Sequence, residues 1–367
     1  MHSAPSKYFF IVPLGILLIV TLVMVTVEPH RFQKFQKQFL AQYFKDNPVN
    51  ATWIGIHDYD SRLPDFRPHS IQEKLDRLLQ YRKIFMDIRE NELSRDDRID
   101  RELILNAIDM AVFNDTDLQA YRWNPLIYMY TLGFAVESLS GYEFAPANVR
   151  ALALTSRLSL IPSFLEVATE NLEAMPKPHL ETAIRQCRGI ENLVSTGLDS
   201  FRSELDPDQA VEIRESSRAA HSALVQFRHF LEQRLEEGPT RDFRIGPHLY
   251  GKKLELTLNE NLHPEEVMAR AESALKRIQT QMLDLAIPLY EELTGNPAPV
   301  STHADRLTVI RTVLDDIARD HARREDVVAS ARSTIAELTR FIQEQGIVAL
   351  DSTKPLIIRE TPEYQRG

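Results

Sequence analysis

The sequence predicts an all-α protein, a multi-helix, bundle-like body behind one amino-terminal transmembrane helix. Three observations carry this. Apolar residues recur at helical spacing through nearly the whole chain after Arg31, helix-opening and helix-closing residues bracket those stretches, and strand signals are confined to two short runs.

Residues 1–7 form an amino-terminal tail, and Tyr8 to Val27 is an uncharged apolar run of 20 residues. As a helix rising 1.5 Å per residue it reaches about 30 Å, the thickness of a bilayer's hydrocarbon layer. The run ends in Thr26-Val27-Glu28-Pro29 without a small-x-small cleavage site, which favours an uncleaved anchor in contact with membrane lipid. Pro13 and Gly15 are tolerated in such a helix. Lys7 lies on one side of it, and Arg31, Lys34 and Lys37 on the other, so a positive-inside count alone places the globular part in the cytoplasm.

Phe32, Phe35, Phe39 and Tyr43 share one face of the next helix, which Asn47-Pro48 ends. A loop through Trp53 to Asp65 follows, dense in turn formers and polar side chains. Further helices are predicted from Ser70 to Asn91 and from Arg95 to Asn114, the second with Ile99, Leu103, Ala107 and Met110 along its apolar face. Helices from Pro125 to Ser140, Pro146 to Ala174 and Pro178 to Glu204 come next. Asp206 as N-cap and Pro207 at the first helical position open a long helix that Gly238-Pro239 stops. Pro264-Glu265-Glu266 opens another, which Pro288 is expected to kink or end near Leu293. The last helices run from His303 to Arg319 and from Glu325 to Gln345, with Gly346 as the stop. Arg241 to Ile245 and Leu356 to Arg359 are the two strand candidates. The composition does not change after Glu28, which suggests one all-helical domain over residues 31–367.

The formal charge of −10, from 43 basic and 53 acidic residues, offers no basic surface for phosphate, so no nucleic-acid partner is predicted. Cys187 stands alone, which excludes an intrachain disulfide and a cysteine-rich zinc ribbon. The eleven histidines include no H-E-x-x-H, and neither His321 with Glu325 nor His221 with His229 finds a third ligand nearby, so no metal or catalytic residue is assigned. Asp96-Asp97-Arg98-Ile99-Asp100 matches the D-D-x-x-D pattern of magnesium-dependent isoprenoid enzymes, with Asp315-Asp316 as an imperfect echo. Ser94 and Asp97 also make a capping-box-like helix start, and Arg95, Arg98 and Arg101 interleave the acids, so the run is read first as a helix terminus. There is no G-x-S-x-G elbow, P-loop or dinucleotide fingerprint, and the sequons at Asn50 and Asn114 are read as incidental.

Several segments, in order and at matching spacing, resemble the bacterial DUF885 family. They are Pro48 to Asp65, Asn124 to Tyr128, Arg157 to Pro162, Asn171-Leu172, Ile245 to Tyr250 and Pro355 to Pro362. The resemblance covers most of residues 32–367 and implies a largely helical, exported protein related to zinc metallopeptidases of the carboxypeptidase Taq type. In such proteins the H-E-x-x-H lies in a carboxyl-terminal catalytic part, which residues 31–367 lack, so zinc is expected only with that part and no ligand carries over to this chain.

The resemblance therefore implies a membrane-anchored amino-terminal part of a DUF885-type metallohydrolase, inactive alone, with a peptide substrate in the full-length form. Its globular body is expected in the periplasm or outside the cell. A stand-alone helical binding or scaffold protein is the alternative, and the magnesium-dependent isoprenoid enzyme the third reading. The expected cleft-facing positions are His57, Asp58, Asp60, Arg62, Gly246 and Tyr250, with turn and helix-packing roles as the simpler account of the same residues.

Overall fold

The computed structural model describes residues 31–238, 241–260, 262–351, 356–358 and 361–365, and no strand occurs among them. The predicted tail and anchor, residues 1–27, lie outside the described residues. The helices fall into two compact units, the first of Met1–Glu260 with Pro362–Gly367 and the second of Asn261–Thr361. A single hydrophobic core stops growing near about 250–300 residues, which is why a chain of this length divides although its composition does not change.

Unit 1 begins with α1 (31–46), α2 (Pro48–Trp53), α3 (Pro68–Met86) and α4 (Arg95–Phe113). The aromatic stripe of α1 is core, as its spacing predicts. Phe32 and Phe39 are buried and meet Phe85 of α3 edge-on, each with ring centroids 5.9 Å away. Ile104 and Ile108 of α4 complete this cluster. Ile99 and Leu103, assigned to the buried face by spacing, are instead exposed. α4 carries two overlapping apolar stripes, and the packing of α1 and α3 selects the one through Ile104 and Ile108.

The larger core joins α5 (Leu126–Ser140), α6 (Ala147–Asn171), α7 (Lys177–Asn192) and α9 (Pro207–Glu237). Tyr128, Leu132, Val136 and Leu139 of α5 face Leu154, Leu158 and Ile161 of α6 and Leu224, Phe227 and Leu231 of α9 within one cluster. By length and composition α6 could cross a membrane, yet it is packed between α5 and α9 inside the core and buries two arginines. α7 does not run on to Glu204: a π turn at Leu193–Gly197 leads into α8 (Asp199–Ser203). α9 starts as predicted, with Asp206 Oδ1 accepting from the backbone of Asp208 and Gln209 at 3.1 and 3.0 Å. Arg241 to Ile245 forms no strand and leads into α10 (Pro247–Leu258), a helix the sequence reading left out.

Unit 2 comprises α11 (Pro264–Thr294), α12 (His303–Ile317) and α13 (Val327–Gln345). Ala286 of α11 packs on Val309, Ile310 and Val313 of α12. Pro288 lies inside α11, and the helix ends at Thr294, one residue past the expected Leu293, closing on Gly295 at φ 67°. Its missing N–H costs one hydrogen bond, which the remaining ladder of a 31-residue helix sustains. Thr302 and Asp305 form a reciprocal capping box at the start of α12. Gly346 ends α13 in the left-handed region, as predicted. Leu356 to Ile358, the described part of the second strand candidate, is irregular.

Candidate functional site

Unit 1 carries an apolar groove between α2, α5 and the segment 54–67. It encloses about 510 Å³ and is lined by Val49, Trp53, Pro64, Phe66, Ile127 and Phe134, with Asn47, Asn50, Tyr130 and Thr131 as its polar members. Trp53 stands 49% exposed at the rim and packs edge-on against Phe134 and Tyr142, with centroids at 5.2 and 5.4 Å. Phe66 on the other wall touches Tyr128 and Phe164 in the core. An apolar hollow with few polar groups suits an apolar or aromatic ligand moiety.

The groove's walls are held by a buried arginine. Arg157 of α6 is fully buried, and its guanidinium donates to the carbonyls of Arg62 (3.1 Å) and Ala135 (2.9 Å), to Ser138 Oγ (3.2 Å) and to Thr52 Oγ1 (2.6 Å). The Thr52 hydroxyl donates to Asp60 Oδ1 at 2.5 Å, and Asp60 Oδ2 accepts from His57 Nδ1 at 2.9 Å. A positive charge, a hydroxyl and a carboxylate thus form one line that fastens the 54–67 segment to α2, α5 and α6. Burial pushes the Arg157 guanidinium down to about 10, against the pull of Asp60, so it stays charged at neutral pH. Seven residues earlier on the same helix face, Arg150 is also buried and donates to the carbonyls of Leu139 (2.8 Å) and Ala145 (2.8 Å), capping the end of α5.

Asn47 also borders a second, polar recess of about 340 Å³ between α1, α3 and α4. Lys74 pairs with Asp115 at 2.6 Å and Arg77 with Asp46 at 3.0 Å inside it. Asp115 is placed there by a π turn at Asn114–Leu118, an irregularity that re-aims side chains at the end of α4. Each charge in the recess has an opposite partner, so the recess carries no unbalanced charge toward a ligand.

The structure gathers part of the predicted cleft set. His57, Asp60 and Arg62 lie in the 54–67 segment, but their side chains serve the scaffold. His57 stacks on Phe144 at 3.8 Å, Asp60 anchors Thr52, and the Arg62 guanidinium lies over the Tyr59 ring at 5.9 Å. Asp58 borders a shallow recess against Gln36, Lys37 and Leu40 of α1. Gly246 and Tyr250 belong to α10, where Gly246 takes φ 82° to start the helix ahead of Pro247 and Tyr250 is exposed. α10 is held against α4, with Asn106 Nδ2 donating to the Leu256 carbonyl at 3.0 Å. None of the six lines the aromatic groove.

The sequence reading missed Arg157, Thr52, Tyr130 and Phe134. The signal for Arg157 was available, because it and Arg150 are seven apart on an otherwise apolar face that also carries Leu154 and Ile161. In the acidic run, Ser94 Oγ accepts from the Asp97 backbone at 3.1 Å and Asp100 accepts from Gln36 at 2.7 Å, which is helix-start and packing geometry. Among the described residues no three His, Cys, Asp or Glu side chains converge on a common point. Cys187 is buried against the Leu224 carbonyl, and burial raises its thiol far above the ordinary value.

Comparison with known proteins agrees with the helical architecture. The family model described as "Bacterial protein of unknown function (DUF885)" matches residues 48–367. The fold is similar to a solved structure described as "a putative lipoprotein of unknown function from Shewanella oneidensis", with a TM-score of 0.71 and 24% identity. That match covers 90% of this chain and 61% of the Shewanella chain, so this chain spans about three fifths of its neighbour's length. No curated protein matches the sequence.

Proposed function

The chain belongs to the DUF885 family, and from that membership we propose that it is the membrane-anchored, substrate-binding helical part of a hydrolase of the zinc-metallopeptidase kind, with no hydrolysis of its own. The observation that carries this reading is the groove of about 510 Å³ walled by Trp53, Phe66 and Phe134, which suits an apolar or aromatic side chain of a peptide. The absence of H-E-x-x-H from the sequence supports a binding rather than a cleaving role for this chain. The apolar run Tyr8 to Val27 supports the anchor, and the lipoprotein name of the Shewanella neighbour supports a membrane-associated or exported protein.

Binding is tested by titrating the chain with short blocked peptides carrying phenylalanine or leucine while following tryptophan fluorescence. A saturable change that Trp53→Phe removes and Phe134→Ser weakens is the expected result. No saturable change up to millimolar peptide overturns the reading. The alternative, a helical binding or scaffold protein outside any hydrolase, is favoured if peptides fail to bind while the chain unfolds cooperatively by itself. Stoichiometric zinc or peptide hydrolysis in the purified chain would sink both.

A further inference from the structure

An apolar side chain that enters the groove carries the peptide groups on either side of it out of water, and each must then find a hydrogen bond. The lining offers partners for them. Asn50 stands one turn before Trp53 on α2, and Tyr130 one turn before Phe134 on α5, so each helix that supplies an aromatic wall also supplies a polar side chain beside it. Asn50 is exposed, and no described group of the chain engages its side-chain amide. Tyr130 is 44% exposed, with a hydroxyl that is likewise unengaged among the described residues. Asn47 spends its Nδ2 on the Tyr43 carbonyl at 2.8 Å, which leaves its side-chain oxygen as an acceptor. A primary amide both donates and accepts, as a peptide group does, so Asn50 can pair with main chain whatever side chains that chain carries.

Charge is the second observation. Among the described residues, none that lines the groove is charged at neutral pH. The charges next to the lining in the chain are already matched: Asp65, between Pro64 and Phe66, pairs with Arg67, and Asp46, beside Asn47, pairs with Arg77 at 3.0 Å. A terminal carboxylate or ammonium group drawn against this lining loses its hydration and meets no counter-charge, which costs more than burying a neutral peptide group that finds a partner. We infer that the groove takes an uncharged stretch from the interior of a polypeptide, with an apolar side chain against Trp53 and Phe134 and the backbone beside it paired with the amide of Asn50. This rests on the groove being a peptide site and deepens that reading by naming which peptides enter.

The test titrates the full chain, read by tryptophan fluorescence, with a blocked pentapeptide that has phenylalanine between two pairs of alanines. Two shorter peptides, in which the phenylalanine itself bears the free carboxylate or the free amine, are titrated beside it. The blocked peptide should bind at least about tenfold more tightly than either, and Asn50→Ala should weaken its binding about tenfold. Asn50 is exposed, so its exchange removes no buried contact. The weakening should vanish for a pentapeptide N-methylated at the phenylalanine or at the alanine after it, a coupling that a merely structural role for Asn50 does not produce. Equal affinity for free and blocked ends, unchanged affinity in Asn50→Ala, or losses that simply add for both N-methylated peptides overturn the inference and leave the groove reading standing. Failure of every peptide to bind overturns both.

Discussion

Arg157 and Thr52 stand 105 residues apart in the chain and meet at 2.6 Å, guanidinium to hydroxyl, behind the wall of the aromatic groove. Thr52 turns its proton toward Asp60, so one hydroxyl connects a buried cation to a carboxylate that the cation does not touch directly. The arrangement explains how a segment without regular structure, residues 54–67, keeps Pro64 and Phe66 in place on the groove.

Removing the guanidinium strands several buried acceptors at once. Arg157→Met is expected to destabilise unit 1 by about 3 kcal/mol, with Arg157→Lys recovering little because an ammonium cannot reach the set of acceptors that the guanidinium spans. Thr52→Val is expected to cost about 1–2 kcal/mol, and the double variant less than the sum, since both act on one network. Urea denaturation of the single and double variants measures this.

Tyr364 lies over Gly133, and a Cβ there would overlap the ring. Its hydroxyl donates to the Glu137 carboxylate, and the ring meets Phe134 edge-on with centroids 6.0 Å apart. Tyr364→Ala is expected to lower the stability of unit 1 by about 3 kcal/mol. Gly133→Ala should be costly with Tyr364 present and close to neutral without it, which a double-mutant cycle reads directly.

Asp65 has a pH signature of its own. Burial opposes its ionisation, yet hydrogen bonds from Arg67 and Ser70 prevail and hold the carboxyl at about 2, below the ordinary 3.8. A depressed carboxylate contributes stability that is fully present above the unfolded value and is lost as the pH falls through the folded one, here between about 4 and about 2. A carboxyl carbon titration by NMR should place its midpoint near 2, and Arg67→Ala should move it upward. A midpoint at the ordinary value would show that the Arg67 contact is absent in solution.

Cys187 should react slowly. Burial, reinforced by the neighbouring Glu191, keeps the thiol protonated, and the thiolate is the reactive form. A thiol reagent such as DTNB is expected to modify native protein at the rate of unfolding and denatured protein at once. Fast labelling of native protein would contradict the packing of α7 on α9.

Much of the helical layout was legible because helix signals are local. Asp206 with Pro207 opens α9, Gly346 closes α13, and the four-aromatic stripe of α1 is core, each where spacing and capping chemistry put it. The readings that failed needed information from elsewhere in the chain. α4 has two apolar stripes, and its own sequence cannot state which one α1 and α3 will cover. In the turn-rich 54–67 segment the polarity of His57 and Asp60 fastens the segment to α2, and the groove beside it is lined mainly by apolar neighbours.

The sequence by itself determined the all-α class, most helix boundaries and the family, since these depend on contacts within about four residues or on collinear motifs. Only the tertiary structure decided that the helices divide into two units and that Arg157 supports the groove. Each of those outcomes compares surfaces far apart in the chain, and a helix's own pattern records that a face is apolar without recording what will cover it.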